Sequence, residues 1–105
     1  MTNTRVESQS KGDGHRYIIC QIGKGLFEHE CSITVSDIYG EKYQAIVDRN
    51  DVKVSKEPEG FDFVDGVVRV RVVEVHPGKI VVDLPQETFT SGPRITVSPK
   101  ELAPR

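Results

Sequence analysis

The chain has 105 residues, a length that suits one domain with one hydrophobic core and is too short for the large α/β enzyme folds. Charged residues make up 29% of the chain and hydrophobic residues 36%, a balance that excludes both a disordered chain and a membrane-embedded one. The formal net charge of −2 lacks the excess of Lys and Arg with which sequence-independent nucleic-acid binders neutralise phosphates.

The N-terminal part of the chain differs in composition from the rest. Residues 1–14 are polar and hold no apolar stretch of the secretory type, and nothing in the chain approaches the roughly 18 apolar residues of a membrane span. We interpret residues 1–14 as a disordered N-terminal tail, residues 15–102 as a small β-barrel domain and residues 103–105 as a frayed C-terminus. Without a signal peptide, Cys20 and Cys31 are expected to be free thiols in the reducing cytoplasm. The sequence thus predicts a cytoplasmic protein that does not contact a membrane.

Alternation of apolar and polar side chains predicts three strands in the first half of the domain. They cover residues 16–22, 31–38 and 42–48, with a loop over residues 23–30 and a hairpin turn at residues 39–41. The side chains predicted to point inward are Ile18, Cys20, Ile22, Cys31, Ile33, Val35, Tyr43, Ala45 and Val47.

The segment that follows the third strand is acidic and less regular. A turn at residues 49–51 leads into a short strand at residues 52–54. Residues 55–65 then contain one proline, one glycine and four acidic residues, a composition typical of a loop. We expect Phe61 and Phe63 to pack this segment against the barrel.

The longest predicted strand covers residues 66–75. Beyond Val72 the apolar pair is Val73 and Val75, so the inward positions shift by one residue at residues 72–73, which predicts a β-bulge there. A tight turn at residues 77–78 leads into a strand over residues 79–84, and a final strand covers residues 94–98. The side chains predicted to point inward from the first two of these strands are Val68, Val70, Val72, Ile80, Val82 and Leu84.

Six or seven short strands without any sustained helical period predict an all-β fold, a small, partly open antiparallel barrel in a single domain. Within it, residues 67–102 resemble the end of an SH3-like barrel. The shared features are a long bent strand, a tight hairpin, a last strand and one 3₁₀ turn at residues 99–102. The resemblance implies an SH3-like arrangement of strands. It does not extend to proline-rich peptide binding, because the aromatic groove of eukaryotic SH3 domains has no counterpart here and the chain contains no Trp.

Two kinds of reactive site can be assembled from the cysteines. Cys20, His29 and Cys31, with a further histidine, supply the atom types of a zinc site, but no Cys-x-x-Cys or His-x₃-His spacing occurs. Both cysteines also fall on inward faces, where Cys acts as a small core hydrophobe. A nucleophilic Cys31 assisted by His29 is the enzymatic hypothesis, which burial of the thiol would disfavour. The acids of residues 48–65 lack the Asp-x-Asp-x-Asp-Gly pattern of a calcium loop. We therefore predict no metal, no cofactor and no catalytic residue.

Two surfaces are candidates for binding a partner. Arg69 and Arg71 point outward from the longest strand and Arg94 lies on a neighbouring strand, so three guanidinium groups share one face that suits phosphates or carboxylates. The alternative for this arginine face is an ordinary solvated surface paired with acids such as Asp83. Elsewhere, Lys24 lies between two glycines in the predicted loop at residues 23–30, and Phe27 marks a contact surface there if it is exposed.

The favoured function is a non-enzymatic module that binds an unknown protein partner through a sheet face or loop. The alternative is a barrel that binds RNA or another nucleic acid through Arg69, Arg71 and Arg94, a possibility supported by the net charge of +2 on residues 66–105 against −4 on residues 1–65. A steep dependence of binding on salt distinguishes the second from the first.

Overall fold

The computed structural model describes residues 15–104, and the predicted tail at residues 1–14 lies outside them. The described chain forms one antiparallel sheet that curls into a half-barrel, which confirms the predicted all-β, partly open barrel. None of its helices has the length and apolar character needed to cross a membrane. The strands are β1 (His15–Lys24), β2 (Glu30–Ser36), β3 (Lys42–Asp48), β4 (Val52–Val54), β5 (Val64–His76), β6 (Lys79–Asp83) and β7 (Arg94–Val97).

The long strand β5 is the centre of the sheet, whose order is β3-β2-β1-β5-β6-β7. The first half of β5 pairs with β1 on one side and with β4 on the other, and its second half pairs with β6. The register between β5 and β6 shifts between Val72 and Glu74, which confirms the predicted bulge. The extra residue bends β5, so that a single strand can serve both halves of the barrel.

Four backbone contacts hold the open sheet in its curled shape. The N–H of Ile38 donates to the carbonyl of Thr96 at 2.8 Å, and the N–H of Phe89 donates to the carbonyl of Gln44 at 2.9 Å, so both edge strands are partly covered. At the other end of the chain, Leu102 forms a bridge with Ile18. The N–H of Ala103 donates to the carbonyl of Tyr17 at 2.8 Å, just past the predicted end of the domain. These contacts occupy backbone groups at strand edges, which could otherwise pair with another chain and lead to aggregation.

One hydrophobic core fills the half-barrel. Thirteen of its sixteen buried residues were predicted to point inward, and the other three are Val52, Ile95 and Val97. Tyr43 and Val72, also predicted to point inward, pack at its margin. Turns with Gly40 at φ 84° and Gly78 at φ 80° set the two hairpins at the predicted places. The buried hydrophobic residues are Ile18, Cys20, Ile22, Cys31, Ile33, Val35, Ala45, Val47, Val52, Val68, Val70, Ile80, Val82, Leu84, Ile95 and Val97.

Three local predictions are wrong. The apolar face predicted to resume beyond the bulge does not point into the core, because Val75 is 70% exposed. Strand β1 does not stop at Ile22 but continues through Gly23 and Lys24, because Gly23 pairs with Ser32 of β2 and lies buried beneath the ring of Phe63. Phe61 does not pack on the barrel but is fully exposed. Instead of Phe61, the buried Pro58 anchors the acidic segment to the barrel.

Candidate functional site

The loop that joins β1 to β2 presents two large apolar side chains to solvent. The N–H of Glu30 donates to the carbonyl of Phe27 at 3.0 Å and closes the loop tightly. Gly25 permits this closure, since a Cβ there would lie 2.8 Å from the carbonyl oxygen of Glu30. Leu26 is 88% exposed and Phe27 is 61% exposed, and the Phe27 ring stacks on the ring of His29 with centroids 6.0 Å apart. Phe27 is therefore exposed, as the prediction that it marks a contact surface requires.

A cleft of about 320 Å³ separates this loop from the turn after β3 and the acidic segment. The N–H of Arg49 donates to the carbonyl of His29 at 2.7 Å, which ties the turn to the loop. The Arg49 guanidinium forms an ion pair with the Glu57 carboxylate, and this contact holds the acidic segment across the cleft. The cleft brings together both residues predicted for this region, Lys24 and Phe27.

A third apolar side chain projects from the acidic segment. The N–H of Asp62 donates to the carbonyl of Glu59 at 2.9 Å, and Gly60 adopts φ 57°, so a tight turn forms with Phe61 on its outside. The turn lies between Pro58, which lines the cleft, and Phe63, whose ring covers Gly23. We call residues 24–30, which comprise the β1–β2 loop and the strand residue on each side of it, together with residues 55–65 the loop end of the barrel.

The loop end is acidic as well as apolar. Residues 24–30 and 55–65 together hold two lysines and six carboxylates, a net charge of −4, whereas the whole chain carries −2. One of the six carboxylates, Glu57, is neutralised by Arg49. Of the remaining acids, Glu28 and Glu30 line the cleft together with the cations Lys24 and Arg49, and Glu59 and Asp62 adjoin Phe61 in the chain.

The two cysteines belong to the core. Cys20 and Cys31 are free thiols with exposures of 4% and 3%. Burial, aided by the neighbouring Cys31, raises the pKa of Cys20 to about 12. Burial also raises the pKa of Cys31, although Arg49 beside it acts in the opposite direction. His29 precedes β2, is exposed and stacks on Phe27, so its ring is engaged outside the core. Over residues 15–104, no three His, Cys, Asp or Glu side chains converge as a metal site would require.

The three arginines share one face of the sheet, but Arg94 lies two strands away from Arg71 rather than on a neighbouring strand, and the face carries its own counter-ions. Cross-strand register places Arg71, Asp83 and Arg94 side by side on β5, β6 and β7. Arg94 donates to Asp83 through Nε at 2.8 Å and through Nη2 at 3.1 Å, and Arg71 donates to it at 3.4 Å. These bonds, above all those from Arg94, hold the pKa of Asp83 below its usual range. Arg69 pairs with Asp51 at 2.7 Å. Each arginine of this face therefore contacts a carboxylate.

A groove of about 300 Å³ runs beside two of these arginines. His15, Arg69 and Arg71 line it, together with two prolines and the carboxylate of Asp83. On the same outer face, the Lys53 ammonium lies 4.5 Å from the centre of the Tyr17 ring, a cation–π contact. Three basic side chains thus share this groove with one acid.

Sequence reasoning missed Leu26, Phe61 and the pair of Arg49 with Glu57. The signal for Leu26 was present, since it follows a glycine-flanked lysine and precedes Phe27 in a loop. The signal for Phe61 was the turn-forming sequence Glu57-Pro58-Glu59-Gly60 before it, which argues for a projecting side chain rather than a packed one. Nothing in the sequence indicates the Arg49 ion pair, which depends on how the acidic segment folds back.

Comparison of the chain with protein-family models, with curated proteins and with solved structures finds no match.

Proposed function

We propose that this protein is a non-enzymatic, cytoplasmic interaction module that binds a protein partner through its loop end. The observation that carries the proposal is the exposure of Leu26, Phe27 and Phe61 on two neighbouring loops at one end of a rigid sheet. Single exposed apolar residues are ordinary, but a group of them on adjoining loops is typical of interaction sites. Large aromatic side chains are also the residues that most often dominate binding energy at interfaces.

The scaffold supports this use of the loops. Gly25, Pro58 and the contact of Arg49 with His29 fix the loop end on the barrel, so little conformational entropy remains to be lost on binding. Both thiols are buried with raised pKa values, which favours a structural role for them over nucleophilic chemistry. The succession of β5, the hairpin into β6, β7 and the 3₁₀ turn Pro99–Glu101 also supports an SH3-like arrangement of the barrel.

Replacing Leu26 and Phe27 together by serine is expected to weaken partner binding at least tenfold, because two anchor side chains are lost from the interface. The partner is first isolated by cross-linking in the source cells, identified and purified. Its affinity for the wild-type protein and for the Leu26→Ser/Phe27→Ser variant is then measured by calorimetry. Both serines lie in an exposed loop, so the melting temperature should change little.

The matched control is Tyr39→Ser. Tyr39 is 81% exposed in the β2–β3 hairpin turn, at the opposite end of β2 from Leu26 and Phe27. This variant should bind the partner like the wild type. Equal affinities of all three proteins for every purified partner would refute binding at the loop end.

A second candidate function is nucleic-acid binding through Arg69, Arg71 and Arg94. The observation that favours it is the groove in which His15, Arg69 and Arg71 meet, with Lys53 stacked on Tyr17 nearby. If this face binds RNA, Asp83→Asn should strengthen binding several-fold, since it removes the carboxylate that both Arg71 and Arg94 contact. Arg71→Gln/Arg94→Gln should weaken it and reduce its salt dependence. Electrophoretic mobility shifts with a single-stranded RNA at several salt concentrations measure both effects, and no binding by Asp83→Asn at low salt would end this candidate.

A further inference from the structure

We propose that the loop end recognises a partner segment in which one apolar side chain is flanked by lysines or arginines. This inference rests on the proposed function and names the chemistry of the partner. It follows from two separate properties of the loop end, namely the apolar walls of its cleft and the excess of carboxylates around it.

The cleft is built to take a side chain. Leu26 and Phe27 from the β1–β2 loop and Pro58 from the acidic segment line its walls. Its volume of about 320 Å³ is at the lower limit of small-molecule sites, a size that fits an inserted side chain better than a cofactor. An apolar side chain placed between these walls would bury part of Leu26 and Phe27, which are otherwise left in water.

The charges around the cleft select the flanking residues of the partner. Its charged lining consists of the carboxylates of Glu28, Glu30 and Glu57 and the cations of Lys24 and Arg49, an excess of one negative charge. The Glu57 side chain remains 62% exposed although it pairs with Arg49, so it can accept a second cation. Beyond the cleft, Glu59 and Asp62 flank the projecting Phe61 and extend the negative surface. Opposite charges on a partner would be attracted to this surface and like charges repelled from it, which gives specificity and a fast encounter.

The alternative occupant is a second copy of this chain, whose arginine face is basic. Arg71 and Arg94 of that face are already shared by Asp83, and Arg69 is paired with Asp51. An extended basic segment of another protein carries no such internal counter-ions, so the electrostatic match favours it over self-association.

Fluorescence anisotropy with four labelled synthetic peptides of equal length tests the inference. One peptide alternates lysine with leucine, one glutamate with leucine, one serine with leucine and one lysine with serine. We expect the lysine–leucine peptide to bind at least tenfold more tightly than each of the others, because it alone satisfies both the apolar cleft and the acidic rim. Raising the salt concentration should weaken that binding, since exposed charges are screened.

Protein variants separate the two contributions. Leu26→Ser/Phe27→Ser should abolish binding of the lysine–leucine peptide. Glu28→Gln/Glu30→Gln, which leaves the Arg49–Glu57 pair intact, should weaken it about fivefold through lost charge attraction. The matched control, Glu74→Gln/Glu87→Gln, removes two exposed carboxylates from other parts of the surface and should leave the affinity within twofold of wild type.

Each other outcome overturns the inference in a recognisable way. Equal or tighter binding of the glutamate–leucine or lysine–serine peptide refutes the proposed partner chemistry. Sedimentation equilibrium that shows a dimer broken by Leu26→Ser/Phe27→Ser identifies a second copy as the occupant instead. If no peptide binds while a purified partner still depends on Leu26 and Phe27, the partner class is wrong and the proposed function stands. If neither peptide binding nor partner binding depends on Leu26 and Phe27, both the inference and the proposed function are wrong.

Discussion

Substitution of Gly66 by alanine is expected to destabilise the domain by about 3 kcal/mol, the upper end of the usual cost of overpacking. Gly66 lies in β5 where that strand is paired on both sides, with Cys20 of β1 and with Val54 of β4. A Cβ at this position would stand 2.5 Å from Cδ1 of Ile22 and 2.6 Å from the carbonyl oxygen of Lys53. Ile22 is fully buried, and the Lys53 oxygen belongs to the backbone, so the clash cannot be relieved by rotating a free side chain.

Urea unfolding followed by circular dichroism measures this effect, with Gly92→Ala as the matched control. A Cβ at Gly92 would have no atom within 4 Å, so that change should leave stability within about 0.5 kcal/mol or raise it slightly by restricting the unfolded chain. A loss below 1 kcal/mol for Gly66→Ala would show that β4 yields easily and is not fixed against β5.

The strands and their inward faces could be predicted because side-chain direction in a strand repeats every two residues. Ile18, Cys20 and Ile22 of β1 lie on one face of the sheet for this reason, and that face packs into the core. The bulge in β5 was predictable by the same rule, because one extra residue reverses the alternation. Asp83 was a correct partner for the arginines, since facing residues on adjacent strands have complementary charge.

The loop end was harder to predict from the sequence because the direction of side chains in loops does not repeat at a regular spacing. Phe61 is apolar and was expected inside, but its direction is set by the turn at Gly60 and by the anchoring of Pro58. The Arg69–Asp51 pair likewise depends on the 3₁₀ turn Arg49–Asp51, which places the Asp51 carboxylate against β5. Such contacts arise from the folded path of the chain rather than from any local pattern.

The domain is expected to lose stability at alkaline pH because its core contains a buried thiol. A thiol exposed to solvent would cause no such loss. In the unfolded chain, Cys20 loses its proton near the ordinary pKa of 9.0, whereas in the folded protein burial holds that pKa at about 12. The folded state therefore binds more protons than the unfolded state between these two values. The contribution of Cys20 to stability is fully present below pH 8 and is lost as the pH rises above 9, by about 1.4 kcal/mol for each pH unit. Cys31, whose pKa is also raised, adds to the loss in the same direction.

Urea midpoints measured under a reducing agent at pH 8, 9 and 10 test this linkage through a pair of variants. Cys20→Ala is expected to be less stable at pH 8 because it leaves a small cavity, but to lose less stability than the wild type on going to pH 10. Cys31→Ala should keep the contribution of Cys20 and so remain steeply pH-dependent. The three proteins differ only at the cysteines, so the difference between their slopes belongs to the thiols. Parallel curves for the wild type and Cys20→Ala would mean that water or a basic group reaches Cys20, and the burial of this thiol in the core would then be contradicted.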